Sequence, residues 1–346
     1  MKLPRRFLLT AISLFSLICS ATAQKPAAAD LKQLRAKEDS LELLADSMIN
    51  GQSPAKRFRS DSSFVRMLVR ALVVKQSFNY PFTKLKTVSQ QYPPDSSFRI
   101  FTWQLKKDEY MYLQKGAIQM RTPTGELKLI PLFDGSMYTS KPLDSVRTRN
   151  NWIGAIYYNI IQKTSGGKTY YTLLGYDDYS VGSNRKWLEV LTFNAQGEPV
   201  FGGPVISYKE DTVKKPVANR FMIEYKKEAR TTFNYNPEMD MIIYDHLISE
   251  SDEPERKETY IPDGDFEGFK WKDGQWVHVD KVFNYKVKDG EFPMENLLRD
   301  NEGNINEQKL IEQSEKNKAR TEKPATTAPL KPSKPATKVP PEKSTP

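Results

Sequence analysis

The spacing of apolar residues changes along the chain, and each change marks a different kind of element. Leu31, Leu34, Leu41, Ala45 and Met48 recur at intervals of three, four and seven, which places them on one helical face. Asn50-Gly51 and Ser53-Pro54 then read as stop signals, giving an N-terminal helical segment over 24–58. A second helix is predicted over 61–75, capped from the Ser60–Ser63 group. Its run FVRMLVRALVV is apolar nearly all round. Arg66 and Arg70, one turn apart, suit a helix buried against a sheet with a single wet edge.

Beyond residue 98 the period falls towards two and the segments shorten. Strands are predicted in FRIFTWQ (98–104), EYMYLQ (109–114), AIQMRT (117–122), LKLIPLF (127–133) and IGAIYYNIIQ (153–162). They continue in TYYTLLGY (169–176), KWLEVLTF (186–193), RFMIEYK (220–226), RTTFNY (230–235) and MDMIIYD (239–245). Turn residues such as Ser165-Gly166-Gly167 and Asn194-Ala195-Gln196-Gly197 join them. Connections this short link antiparallel neighbours, because a parallel crossover needs about a dozen residues or more. The predicted fold is mainly β: an antiparallel meander of about a dozen strands, as a sandwich or open barrel, with two N-terminal helices packed on it. This β-rich domain is assigned to 59–292, a short helical extension to 293–315 and a disordered Pro/Lys-rich tail to 316–346.

The segment DGDFEG (263–268) looks like the start of a calcium loop, with Asp263, Asp265, Glu267 and Gly268 in roughly the right places. The closing acid, six residues after Gly268, is missing: Gly274 stands there. A hairpin accounts for more residues. With Asp273-Gly274 as a type I′ turn, Trp271 faces Trp276 and Phe269 faces His278, four rings on one side of the ribbon. Lys270 and Lys272 take the other side. Asp263 and Asp265 are then turn residues at the hairpin's entrance, and His278 is a packing ring.

The first 23 residues alter the setting. Lys2, Arg5 and Arg6 precede an apolar run from Phe7 to Ile18, and Ala21-Thr22-Ala23 offers a small-residue cleavage site. This reads as a secretory signal with cleavage between Ala23 and Gln24. The run is too short to span a bilayer, which takes about 20 residues, so no transmembrane segment is expected after its removal. Lipidation at Cys19 is disfavoured because Ile18 stands where a small side chain is wanted. The expected location is periplasmic or secreted. Cys19 is the sole cysteine, so disulfides, Cys-zinc sites and thiol catalysis are not expected in the mature chain.

The formal charge of +9 does not imply nucleic acid. The signal segment and the 316–346 tail carry all of the excess, leaving residues 24–315 neutral and without a drive for phosphate binding. The tail is a solubilising end or a basic arm for an anionic surface.

Catalytic chemistry finds little purchase. The chain has two histidines, His246 and His278. On a strand, Asp245 and His246 point to opposite faces and should not pair. No G-x-S-x-G elbow, zinc-ligand spacing or phosphate loop is present, so neither a metal nor a cofactor is expected. The best candidate is the loop within LLGYDDYSVGSNRKWLEV, since binding residues gather on loops held by rigid strands. Tyr176, Asp177, Asp178, Arg185 and Trp187 are its candidate ligand-binding residues, with Tyr179 and Asn184 alongside. No catalytic residue is assigned.

The strings FRIFTWQ, YYTLLGYDDYSVGSNRKWLEVLTFNAQGEPVFG, MIIYDHL and DGDFEGFKWKDGQWVHV resemble an uncharacterised family of exported β-rich proteins from Bacteroidota-type bacteria. The likeness covers 60–285 and implies export and a β-rich fold; it brings no activity. Two function classes follow. One is a non-catalytic envelope or secreted protein binding a partner, glycan or cell-wall component through its β-domain loops. The other is a carboxylate-dependent, glycosidase-like hydrolase of extracellular polymer, which needs two acids converging in an aromatic-lined cleft.

Overall fold

In a computed structural model the described residues are 25–283 and Ile311. The signal segment with its Ala23/Gln24 cleavage point, the 316–346 tail and, apart from Ile311, the 293–315 extension lie outside them.

Helix α1 (Ala28–Asn50) buries Leu34, Leu41, Ala45 and Met48, the stripe read from the sequence. Glu38 lies in the same stripe and is buried too, because Tyr80 donates its hydroxyl and Lys84 its backbone N–H (2.8 Å) to the carboxylate. Helix α2 spans Pro54–Leu72, starting a full turn and more before the predicted 61–75. Ser53-Pro54, read as a stop, is also a start. Ser53 accepts from Lys56 N as N-cap, and Pro54 occupies the first turn, where no amide hydrogen is needed. Arg66 and Arg70 are exposed as expected, but so are Val65, Val69 and Val73. The helix is therefore half-covered rather than enclosed.

The strands are β1 (Ser89–Gln91), β2 (Phe98–Asp108), β3 (Met111–Met120), β4 (Lys128–Phe133), β5 (Arg147–Thr148), β6 (Ile156–Ser165), β7 (Lys168–Asp177) and β8 (Ser183–Phe193). They continue with β9 (Pro199–Phe201), β10 (Ile206–Ser207), β11 (Arg220–Lys226), β12 (Phe233–Asn236), β13 (Met241–Ser249), β14 (Tyr260–Lys272) and β15 (Gln275–Val279). The molecule is mainly β, as predicted, and among the described residues the strands form three sheets and no closed barrel. The first has order β1-β2-β3-β4. The central sheet runs β5-β9-β8-β7-β6, with β11 also on β8. The third runs β10-β15-β14-β13-β12. All strand pairings are antiparallel except β10 with β15, which the short turns gave no reason to expect.

Alternation along the strands fixes how the sheets stack. On β2, Phe101, Trp103 and Leu105 join the core under the helices, while Phe98 and Ile100 join the core facing the central sheet. On β7 and β8, Leu173, Trp187 and Leu191 meet the first sheet, while Leu174, Leu188 and Val190 meet the third. The layers are thus helices, first sheet, central sheet and third sheet. The first and central sheets are each covered on both faces, which explains the near-continuous burial along β2 and β8.

Strand β3 differs from prediction in one respect. EYMYLQ and AIQMRT form a single strand, because Tyr112, Gln114, Gly116 and Ile118 keep strict alternation across Lys115-Gly116. The closing hairpin has the predicted register, Trp271 opposite Trp276 and Phe269 opposite His278. The tryptophan rings meet edge-on at 5.2 Å, and Asp273 and Gly274 both have positive φ, as a type I′ turn requires. Asp263 and Asp265, expected at a turn, lie inside β14 instead. The strand starts earlier because β13 pairs with it beyond a bulge between Asp245 and Leu247.

The central sheet encloses a buried ion pair. Arg220 on β11 donates from Nε to Glu189 on β8 at 2.7 Å, and both side chains are buried. Arg220 also bonds the carbonyls of Phe201, Pro142 and Ser145. Tyr157 donates its hydroxyl to Glu189 and accepts from Trp152 Nε1 at 2.7 Å. Breaking one partner of such a pair costs about 3–5 kcal/mol, because the other charge is left buried and uncompensated. Arg220→Ala should lose that amount in urea unfolding. Arg220→Lys should fall between it and the native protein, since an ammonium lacks the planar fork that serves several acceptors.

Candidate functional site

A cavity of about 380 Å³ opens between the first and central sheets, where the strand ends of β3, β7 and β8 meet the loop around 136–142. Gly175 and Asp177 on β7 pair with Trp187 and Arg185 on β8, so all four share the face turned to the first sheet. From the opposite wall β3 brings Gln114, inward-facing by the same alternation.

The polar groups are arranged unevenly. Gln114 Nε2 donates to Asp177 Oδ1 at 2.7 Å and lies 3.5 Å from Gln104 Oε1. These two acceptors orient the amide and leave Gln114 Oε1 without a partner. Trp187 Nε1 likewise has none. Both side chains are 3% exposed, and the two unpartnered atoms are enclosed by protein rather than open to the cavity. Gln114 is held tightly from below: a Cβ on Gly154 would lie 2.0 Å from Gln114 Cβ.

Asp177 is enclosed by protein except where it meets the cavity. This desolvation pushes its carboxyl up to about 7, and Asp134 adds to the rise. Arg185, the hydrogen bond from Tyr179 N and that from Gln114 pull the other way and lose. Arg185 is already committed. Its Nε bonds Glu224 at 2.7 Å, and its guanidinium stacks 3.2 Å from the centre of the Tyr179 ring.

Of the five predicted ligand-binding residues, Asp177, Arg185 and Trp187 line the cavity, and Tyr179 lines it with them. Tyr176 and Asp178 do not line it. Tyr176 lies on the other face of β7 and bonds Asp178 and Asn184, both at 3.0 Å. Asp178 is held by Lys227, whose Nζ also meets its carbonyl at 2.8 Å. The loop is shorter than predicted because β7 runs on through Asp177 and β8 begins at Ser183. Gln114, Tyr112 and the 136–142 segment were not anticipated. The available signal was a glutamine on the inward face of a strand otherwise lined by Gly116 and Ile118.

A second polar group sits at one end of the third sheet. His278 contacts Asp211 through Nδ1 at 2.8 Å, and Tyr244 and Glu267 through Nε2 at 2.9 and 3.2 Å. It is thus more than the packing ring expected. Burial opposes its charge, but Glu267 and Asp211 outweigh burial and hold its pKa above the usual imidazole range. Asp263 of the DGDFEG run receives His246 Nδ1 at 2.8 Å, and Asp265 pairs with Lys281 at 3.2 Å. No three acidic or histidine side chains among the described residues are grouped to hold a metal ion.

Both raised pKa values carry the same sign of linkage. The fold favours the protonated Asp177 and the protonated His278. The stability each contributes is complete below the unfolded pKa and is lost as pH rises through the folded one. For Asp177 that window runs from about 4 to about 7. Asp177→Asn should flatten the decline in urea-measured stability across it by a few kcal/mol, on the order set by the shift. His278→Gln should remove a separate loss that begins above the ordinary histidine pKa. In comparisons with known proteins, the chain matches no family model, no curated protein and no solved structure.

Proposed function

We propose that the chain is an exported, non-catalytic protein of the envelope or secreted space that binds a partner, glycan or cell-wall component in the cavity between the first and central sheets. One observation carries this reading: a cavity of about 380 Å³ whose walls are fixed by two packed sheets, with Gln114, Asp177, Arg185 and Trp187 on those walls and exposed Tyr110 and Met137 at the rim. The signal-like N-terminus, and the resemblance to exported Bacteroidota-type proteins, support placing this binding outside the cytoplasm.

A hydrolase is the second reading, favoured by a carboxyl that keeps its proton near neutral pH, as a general acid must. A glycosidase also needs a second carboxyl about 5–9.5 Å across the cleft. Asp177 is the only acid among the described lining residues. Asp134, which influences it, has its oxygens on the backbone N–H groups of Gln114 (3.0 Å) and Ser136 (2.9 Å).

The test is a titration of the mature protein with size-fractionated envelope hydrolysate, followed by indole and amide NMR. Shifts confined to Trp187, Gln114 and the 177–185 segment, with the added material recovered intact, are expected. An unperturbed cavity would remove the binding reading. Breakdown of the material that stops in Asp177→Asn would establish the hydrolase.

A further inference from the structure

We infer that the cavity holds the zwitterionic head of an α-amino acid, its carboxylate on Arg185 and its ammonium on Asp177; this deepens the binding reading above and rests on it. Two side chains of opposite charge stand next to each other there without pairing. Asp177 and Arg185 are cross-strand neighbours on one face of β7 and β8, and both line the cavity. Opposite charges so placed ordinarily attract and close on each other. Here Arg185 instead turns its Nε to Glu224 at 2.7 Å and lays its guanidinium over the Tyr179 ring.

Each residue keeps polar atoms open. Glu224 spends Oε1 on Ser183 at 2.6 Å and meets Arg185 through Nε alone. Arg185 Nη1 and Nη2 bond no described residue, and unlike Trp187 Nε1 they retain accessible surface. Stacking on Tyr179 leaves their in-plane hydrogens free, the fork that grips a carboxylate by two parallel bonds. Asp177 Oδ1 accepts from Gln114 Nε2 at 2.7 Å and from Tyr179 N at 3.2 Å. Its Oδ2 bonds no described residue and is likewise accessible.

Charge then selects the ligand. A carboxylate alone would satisfy Arg185 but press its charge against Asp177. An ammonium alone would satisfy Asp177 and be repelled by Arg185. A neutral group leaves both charges unmatched. A carboxylate and an ammonium on one carbon match both, and they add no net charge to the enclosed site. Desolvation, with no cation in contact, pushes the Asp177 carboxyl up to about 7; an ammonium at Oδ2 supplies that cation. The remaining walls set the side chain. Tyr110, Met111, Met137, Ile153 and the Trp187 ring are there, with no further acid or cation among the described lining residues. They suit an apolar amino acid, and about 380 Å³ is the small end of the range for ligand sites, about 300–1,000 Å³. A residue inside a peptide carries neither charge. The head therefore comes from a free amino acid or from the free end of a diamino acid in a wall peptide.

The test measures binding to the mature protein by calorimetry. The zwitterionic probes are L-leucine, D-leucine, L-phenylalanine and meso-diaminopimelate. N-acetylleucine, leucinamide and glucose lack one or both charges. At least one zwitterion should bind about tenfold or more tightly than all three of these. Leucine or phenylalanine in the lead points to a free amino acid, diaminopimelate to a wall peptide. Arg185→Lys keeps a charge for Glu224 but loses the fork, and Asp177→Asn removes the charge at nearly constant size. Each should weaken the best probe about tenfold. In the native protein, affinity should fall as pH is lowered from about 7.5 to about 5.5, because the ammonium pairs with ionised Asp177. The charged and titratable groups around Asp177 are Arg185 on β8, Glu224 on β11, Asp134 after β4, Tyr112 on β3, and Asp178 with Lys227. Loss of the pH dependence in Asp177→Asn assigns it to Asp177. Equal affinity for N-acetylleucine, leucinamide or glucose would overturn the inference and leave the binding reading standing. So would affinity unchanged in both variants, or constant across that pH range. Failure of every zwitterion would overturn it as well, with the envelope titration then deciding the broader reading.

Discussion

The buried pair between Glu189 and Arg220 is the contact on which the rest of the molecule is arranged. It lies between packed layers and both side chains are buried, so its charges must be met entirely by protein. They are met by atoms from separate parts of the chain: β8, β11, the carbonyls of Phe201, Pro142 and Ser145, and the Tyr157 hydroxyl. A shift in any of these segments would strand a charge. A buried pair of this kind adds little net stability over apolar packing, but it penalises alternative arrangements. Here it ties the irregular 142–145 segment to the central sheet, and that segment borders the cavity.

The same layering accounts for where the cavity lies. Large apolar side chains fill the space between the first and central sheets along most of its length, from Phe98 to Leu191. At the end where β3, β7 and β8 run out, Gln114, Asp177 and Arg185 replace them. Polar side chains cannot close the gap as aromatic ones do, because each keeps its distance to satisfy a bond. The cavity is therefore a consequence of ending an apolar interface with partly satisfied polar groups. Cross-linking by Trp276 Nε1 to Thr172 Oγ1 (2.8 Å) anchors the third sheet on the far side of β7, so the floor is braced from behind.

Much of this was legible from residue order, for physical reasons. Short runs of β-branched and aromatic residues between turn signals identified β2, β6, β7, β8 and β13. The Asp273-Gly274 turn fixed the register of the final hairpin, because two residues of positive φ leave one way to pair the flanks. Helix α2 was misplaced because Ser53-Pro54 carries both a stop and a start meaning. The two-residue strands β5 and β10 were invisible: a pairing that short is decided by what lies alongside it. For the site, the five candidates were chosen by their place in one loop; Asp177, Arg185 and Trp187 line the cavity because strand parity puts them on one face, while Tyr176 and Asp178 lie off it. Gln114 was missed because its meaning depends on a sheet partner more than 60 residues away.

The central claim is that the cavity between the first and central sheets is where this protein takes its ligand. Hydrogen exchange of the mature protein, measured by mass spectrometry with and without envelope hydrolysate, tests it most directly. Added protection is predicted in 110–114, 136–142 and 177–187, the segments that line the cavity. Protection gained only elsewhere, with these segments unchanged, would contradict the account.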